Sequence, residues 1–224
     1  MALISQRAGR RANQSDSGYT RLFGIKELGN LMSKVQGTTI SAGTELEKLI
    51  YDRCKKIPDF DVFVANLSST QAGIFVATKQ QVKKSKSINS SYEPDFLAFD
   101  LANKKCYVIE VKDGDAFDTK KSAGEHTTLK NFMNDVSQSL AFSFRMYICC
   151  FNANTTKEIF DGLKHKFAMD EILTGKELCV LFGIDYNEIV KIRTADQQTN
   201  LEYFIEEMLK IGNIKNMITK RLKP

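Results

Sequence analysis

The chain has no tryptophan, three prolines and two histidines among its 224 residues. So few prolines, with 13 glycines scattered along the chain, exclude collagen-like and low-complexity classes. It also lacks any apolar run near the roughly eighteen residues that a membrane span requires. The opening MALISQRAGRR carries arginines with no apolar stretch behind them, so no secretory leader is expected and the protein should stay in the cytoplasm. Cysteine is present without a pattern: Cys54, Cys106, Cys149, Cys150 and Cys179 are odd in number and contain no CxxC spacing. Neither a disulfide framework nor a zinc site is indicated, and reduced, mostly buried thiols are expected. Neither histidine, His126 or His165, stands in a pattern with a nucleophile or a metal cluster, and both are expected at the surface.

What is present describes a packed globular protein. Apolar residues make up 42% and charged residues 26%, with a mean hydropathy of -0.28. The length suits one domain with an embellishment. Lys and Arg number 32 against 27 Asp and Glu, which leaves a net charge of +5 and suits a polyanionic partner without identifying one.

Along the chain, residues 1–20 are polar and basic (Arg7, Arg10, Arg11) without periodicity, and read as a flexible arm able to lie along a phosphate backbone or equally as a frayed terminus. From Ser41 a helical pattern begins: Leu46, Leu49, Ile50, Cys54 and Ile57 recur at helical spacing, Thr44 with Glu47 forms a capping box, and Pro58 ends the helix. The segments 60–66 and 73–78, rich in Val and Phe between turn residues, are expected to be strands. A lysine-rich loop should follow, then strands at 95–101 and 106–112 joined as a hairpin through Ala-Asn-Lys-Lys. Leu129, Phe132, Met133, Val136 and Leu140 mark an amphipathic helix over 127–141, and 145–151 reads as a buried strand reached by a parallel crossover. Beyond 155 the pattern is helical, with elements at 156–167, 174–182, 185–192 and 200–221. The fold class is therefore α/β, a mixed central sheet flanked by helices with a helical C-terminal part. Its catalytic core would span about 41–151 and its helical additions 155–224 of one 1–224 domain.

The hairpin carries the chemistry. If its connection pairs Leu101 with Cys106, Leu97 falls opposite Glu110 and Asp95 opposite Lys112. Alternation along a strand then puts Asp95, Glu110 and Lys112 on one face, with Leu97, Phe99, Cys106 and Val108 farther along it. Two carboxylates at that spacing are hard oxygen ligands for Mg2+, which relieves their repulsion, polarises a phosphodiester and lowers the pKa of a bound water. Lys112 could hold or deprotonate that water, or neutralise charge in the transition state. A salt-bridge ladder at the end of a sheet would use the same residues, so the conjunction carries the weight: Pro94-Asp95, a short turn, then an apolar strand ending in Glu110-Val111-Lys112.

Pro94-Asp95, fourteen residues, then Glu110-Val111-Lys112 resemble the signature of the PD-(D/E)XK nuclease superfamily, and the element order over about 41–151 is similar to its common core. Within it, a small, basic, stand-alone chain with a helical C-terminal part looks most like a type II restriction endonuclease. The resemblance implies a restriction-endonuclease-like core, hydrolysis of double-stranded DNA at a specific short site, and Mg2+ as cofactor. It implies Asp95 and Glu110 as metal ligands with the Val111 carbonyl, and Lys112 as the catalytic lysine. The family often adds an acid from the first helix. Periodicity places Glu45 and Glu47 alike, on either flank of the apolar stripe, and the surrounding Gly43 and Ile50 resemble the family pattern for Glu47. A homodimer would match a palindromic site.

DNA contacts are expected from Lys83, Lys84 and Lys86, and from Lys120, Lys121, Thr127, Thr128 and Lys130 in the loop after the catalytic strand. Its acids Asp113, Asp115 and Asp118 are expected to be solvated partners of those lysines, extra metal ligands being the other reading. The stretch 174–192 reads as an αα-hairpin, with a helix-turn-helix as the other reading. The stripe of Leu201, Phe204, Ile205, Met208 and Leu209 is expected to pack on the core, a dimer contact being the alternative. Two further functional classes are a junction-resolving or repair nuclease of the same superfamily and a DNA-binding module without catalysis. The complete Asp95, Glu110, Lys112 set argues against the last.

Overall fold

A computed structural model describes residues 2–9, 17–67, 72–114 and 118–222. The chain divides into two compact units, Glu47–Tyr186 on one hand and Met1–Leu46 with Asn187–Pro224 on the other.

The first of these is built on a mixed six-stranded sheet with its strands in sequence order: β1 (Lys55–Lys56), β2 (Ile74–Thr78), β3 (Phe96–Asp100), β4 (Lys105–Lys112), β5 (Ser143–Cys150) and β6 (Ile172–Thr174). The pairs β2–β3 and β3–β4 are antiparallel; β1–β2, β4–β5 and β5–β6 are parallel. Every residue of β3 is buried, as a central strand covered on both faces must be. On one face Leu97, Phe99, Cys106 and Val108 join Phe60, Leu129, Phe132 and Val136 in a continuous core. On the other, Phe96 meets Phe182 edge to face, ring centres 5.9 Å apart.

The hairpin register differs from the expected one by two residues. Asp100 pairs with Lys105 and Leu97 with Val108. The cause lies in the turn: the Asp100 carboxylate accepts from the Asn103 backbone N–H at 3.0 Å and its Nδ2 at 2.7 Å, closing the connection one pair earlier. Because the slip is an even number, each side chain keeps its face.

Several other expectations are corrected. Residues 60–66 are not a strand: α3 (Phe60–Ala65) begins where the Asp59 side chain accepts from the Val62 N–H. Phe60, Phe63 and Val64 line its packed side at helical spacing, with Leu67 packed just beyond its end, so cap and packing override β propensity. The lysine-rich segment is not all loop, because Thr78 and Gln81 form a capping box that starts α4 (Lys79–Lys84). After α4, the Asp61 carboxylate accepts from the Ser85 hydroxyl and from the backbone N–H groups of Lys86 and Ser87. The stretch after β4 is likewise helical earlier than expected. Asp118 caps α5 (Thr119–Ser137), so Lys120, Lys121, Thr127, Thr128 and Lys130 stand on a helix. After α6 (Thr156–Gly162), β6 adds an unforeseen edge strand, and α7 (Gly175–Phe182) starts at the capping box of Thr174 and Glu177. Gly175 sits against Phe151, whose ring lies 2.9 Å from where a Cβ would be.

The second unit is helical. It holds α1 (Gly18–Phe23), most of α2 (Lys26–Tyr51), most of α8 (Tyr186–Lys210) and α9 (Gly212–Leu222). Thus α2 starts fifteen residues before Ser41, and the separate helices expected at 185–192 and 200–221 become α8 and α9, divided near Ile211. Polar ties join the elements: Asn200 accepts from the Ile4 N–H and donates to the Ala2 carbonyl, both at 2.8 Å, and Lys34 donates to Tyr203 at 3.2 Å. Ala2 and Ile4 are buried, so the described start of the expected flexible arm is packed; Arg10 and Arg11 lie outside the described residues. Leu201, Ile205 and Leu209, expected to pack on the core, are exposed along α8. Among the described residues, no helix is long and apolar enough to cross a membrane. None of the five cysteines is joined in a disulfide; four are buried and Cys54 is half-buried.

Candidate active site

The end of the β3–β4 hairpin gathers the charged residues expected there. One step beyond the Phe96–Ile109 pair, Asp95 stands opposite Glu110. Asp95 is buried, and its Oδ2 accepts a hydrogen bond from the Val111 N–H at 2.9 Å across the hairpin. Lys112, two residues along β4 and on the same face, donates from Nζ to Glu110 Oε1 at 2.6 Å. Parallel pairing to β5 holds the far side of this strand, and the Phe151 N–H reaches the Lys112 carbonyl at 2.9 Å.

The electrostatics follow from burial. Desolvation, reinforced by the Asp95 charge, pushes Glu110 up to about 7 against the partial relief of Lys112. Desolvation and the Glu47 charge push Asp95 up to about 6, although the Val111 N–H opposes the shift. Glu47 is raised too, first by burial and then by Glu110. Burial alone would lower Lys112, but Glu110 and Glu125 outweigh it and hold the ammonium well above the usual lysine range.

Glu47 therefore shares the field of the paired acids. Glu45 instead faces Arg7, with Nη2 to Oε1 at 3.4 Å. Thr44 and Glu47 lie in the interior of α2, so they cap nothing. Two residues of this neighbourhood escaped the sequence reading. Glu125 of α5 binds the Lys112 ammonium at 2.8 Å. Its position four residues before Leu129 extends the buried stripe of α5, a signal hidden by starting that helix at 127. Lys79, at the first turn of α4, lowers the pKa of both Asp95 and Glu47 by its charge, and its N–H donates to the Asp95 carbonyl at 3.1 Å. The Thr78-x-x-Gln81 capping box was the available signal.

The expected DNA contacts are more dispersed. Lys83 and Lys84 end α4, with Lys86 just beyond; all three are exposed, and Lys83 pairs with Glu93 at 2.9 Å. Lys120, Lys121, Thr127 and Lys130 are exposed on α5 and Thr128 is half-buried, while the Thr127 hydroxyl is taken by the Ala123 carbonyl at 2.9 Å. Asp118 is the cap of α5, Asp113 accepts from Asn152 at 2.7 Å, and Asp115 lies outside the described residues. His126 is half-buried against Phe167 rather than simply on the surface.

Among the described residues, no three His, Cys, Asp or Glu side chains converge closely enough to cage a metal. Two buried carboxylates that are short of countercharge nevertheless fit a hard divalent cation such as Mg2+, which keeps several waters and takes one or two protein carboxylates.

The chain is 44% identical over 227 residues to a type II restriction enzyme of Haemophilus parahaemolyticus, HhaII, with 98% of this chain and 99% of the relative covered. No family model matches the chain. No solved structure matches it.

Proposed function

The chain belongs to the type II restriction enzymes, and on that premise we propose that it cuts double-stranded DNA at a specific short site by Mg2+-assisted hydrolysis at Asp95, Glu110 and Lys112. The observation that carries this reading is the convergence of Asp95, Glu110 and Lys112 at one end of an otherwise apolar hairpin face, with both acids raised. On this reading the fold is a restriction-endonuclease-like core of the PD-(D/E)XK superfamily.

Asp95 and Glu110, with the Val111 carbonyl, would hold the Mg2+. When bound, the ion polarises the phosphodiester and favours a hydroxide nucleophile. The Val111 N–H fixes one Asp95 oxygen and leaves the other available. Lys112 acts as a cation: two carboxylates keep it protonated, which suits it to orienting the attacking water and offsetting charge on the transition state rather than removing a proton. Glu47 adds negative charge to the field at Asp95, and Lys79 tempers that field. Exposed lysines of α4 and α5 would meet backbone phosphates, each neutralised phosphate adding about one unit of salt dependence. A homodimer would let two such sites cut both strands of a palindrome.

The test is a digest of plasmid DNA with Mg2+ and again with EDTA, followed by sequencing of the fragment ends. Discrete fragments with one common end sequence, lost in EDTA, are expected. Cleavage confined to branched substrates would point instead to a junction-resolving or repair nuclease, and binding without cleavage of any substrate would overturn the catalytic reading.

A further inference from the structure

Lys112 has two carboxylate partners of different kinds. Glu110 Oε1 lies 2.6 Å from its Nζ and Glu125 Oε1 lies 2.8 Å from it. Glu110 is shared, since the proposed function also asks it to hold a metal. Glu125 is not: among the described residues it makes no other ion pair or hydrogen bond. It is also held in place. Asp118 caps the helix two turns earlier, Ser122 and Leu129 are buried on either side of it along the same stripe, and Phe132 continues that stripe into the core. A lysine side chain is a stem of four flexible carbons with much rotamer freedom, so a single shared partner would leave its ammonium free to swing. A carboxylate fixed on a packed helix removes that freedom.

We propose that Glu125 is the positioning residue for Lys112, keeping its ammonium over the end of β4 when Glu110 is engaged elsewhere. The inference rests on the reading of Lys112 as the catalytic lysine. Glu125 acts through Lys112 and touches no reacting atom. One ammonium proton remains after both carboxylates are served, which is enough for one oxygen of a water or a phosphate.

The experiment compares wild type, Glu125→Ala, Glu125→Asp and Lys112→Ala on plasmid DNA with Mg2+, measuring kcat, KM and thermal unfolding for each. Glu125→Ala should lower kcat about 10- to 100-fold, the range expected when a reacting group is misplaced by about an ångström. KM and the unfolding temperature should stay at wild-type values, and Glu125→Asp should recover part of the loss. An unchanged kcat in Glu125→Ala would overturn the proposal. So would a fall in kcat matched by a rise in KM and a lower unfolding temperature, since a merely structural residue would move all three. If Lys112→Ala itself cut at the wild-type rate, the failure would lie with the underlying site. A dead Lys112→Ala beside an unimpaired Glu125→Ala would fault the positioning role alone.

Discussion

The two units differ in how much apolar surface they hide and in whether their buried charges are gathered in one place. In the sheet unit, Val62, Met169 and Val180 are the exposed large apolar residues among those described, while Asp95 is buried and Glu110 and Lys112 are largely so. In the helical unit, Leu22, Phe23, Ile40, Leu201, Ile205, Leu209, Met217 and Leu222 all face water, and polar ties through Asn200 and Lys34 link its elements. A sheet covered on both faces can hide nearly all its apolar surface and still hold a cluster of three charges; the helical unit buries a single charged residue, Arg193, among those described and leaves far more apolar surface outside. Charge is costly to bury unless it is paired or used, so where it is buried, chemistry is the first thing to look for.

The largest expected effect tests the charged end of the sheet unit. Lys112→Ala should cut the cleavage rate by about a thousandfold and leave DNA binding largely intact, as single-turnover digestion and gel-shift assays would report. Its apolar end is tested by Phe132→Ala, which empties a fully buried position. A loss of about 3–5 kcal/mol is expected in urea unfolding; a loss near zero would mean that the core is far more plastic than its packing implies.

A smaller effect concerns pH. Glu110 is raised from 4.5 to about 7, so the folded protein binds its proton more tightly than the unfolded chain. Stability of the metal-free protein should therefore fall as pH climbs from about 4.5 to about 7. In Glu110→Gln that decline should be shallower, with Asp95 and Glu47, both raised, continuing to contribute, and melting curves in EDTA across this range would show whether the slopes differ. The smallest effect belongs to the helical unit. Leu209→Ser, at an exposed site, should change stability by about 0.5 kcal/mol or less, and a large loss would show that the stripe on α8 is covered in solution.

Local periodicity and composition disclosed the strands at 74–78, 96–100 and 105–112, the helix through 129–136 and the clustering of charged residues at the end of β4, because each shows in a window of a few residues. The face shared by Asp95, Glu110 and Lys112 survived an error in register, since a slip of two preserves strand alternation. What stayed hidden had more than one cause. Helix α3 reads as a strand until Asp59 is known to cap it, whereas the start of α2 is announced by Leu28, Leu31, Met32 and Val35 at i, i+3, i+4 and i+7, a stripe that a helix begun at Ser41 leaves out. Periodicity could not choose between Glu45 and Glu47; Arg7 on one side and Glu110 on the other distinguish them. Glu125 required knowing both where α5 begins and that it faces β4.

The bond from the Val111 N–H to Asp95 spans sixteen residues and exists only when the β3–β4 hairpin has closed. If the acids are the seat of cleavage, a nascent or partly unfolded chain carries no assembled cutting centre. On that premise the pairing of one strand with the next would be the folding step at which the chain gains the means to cut.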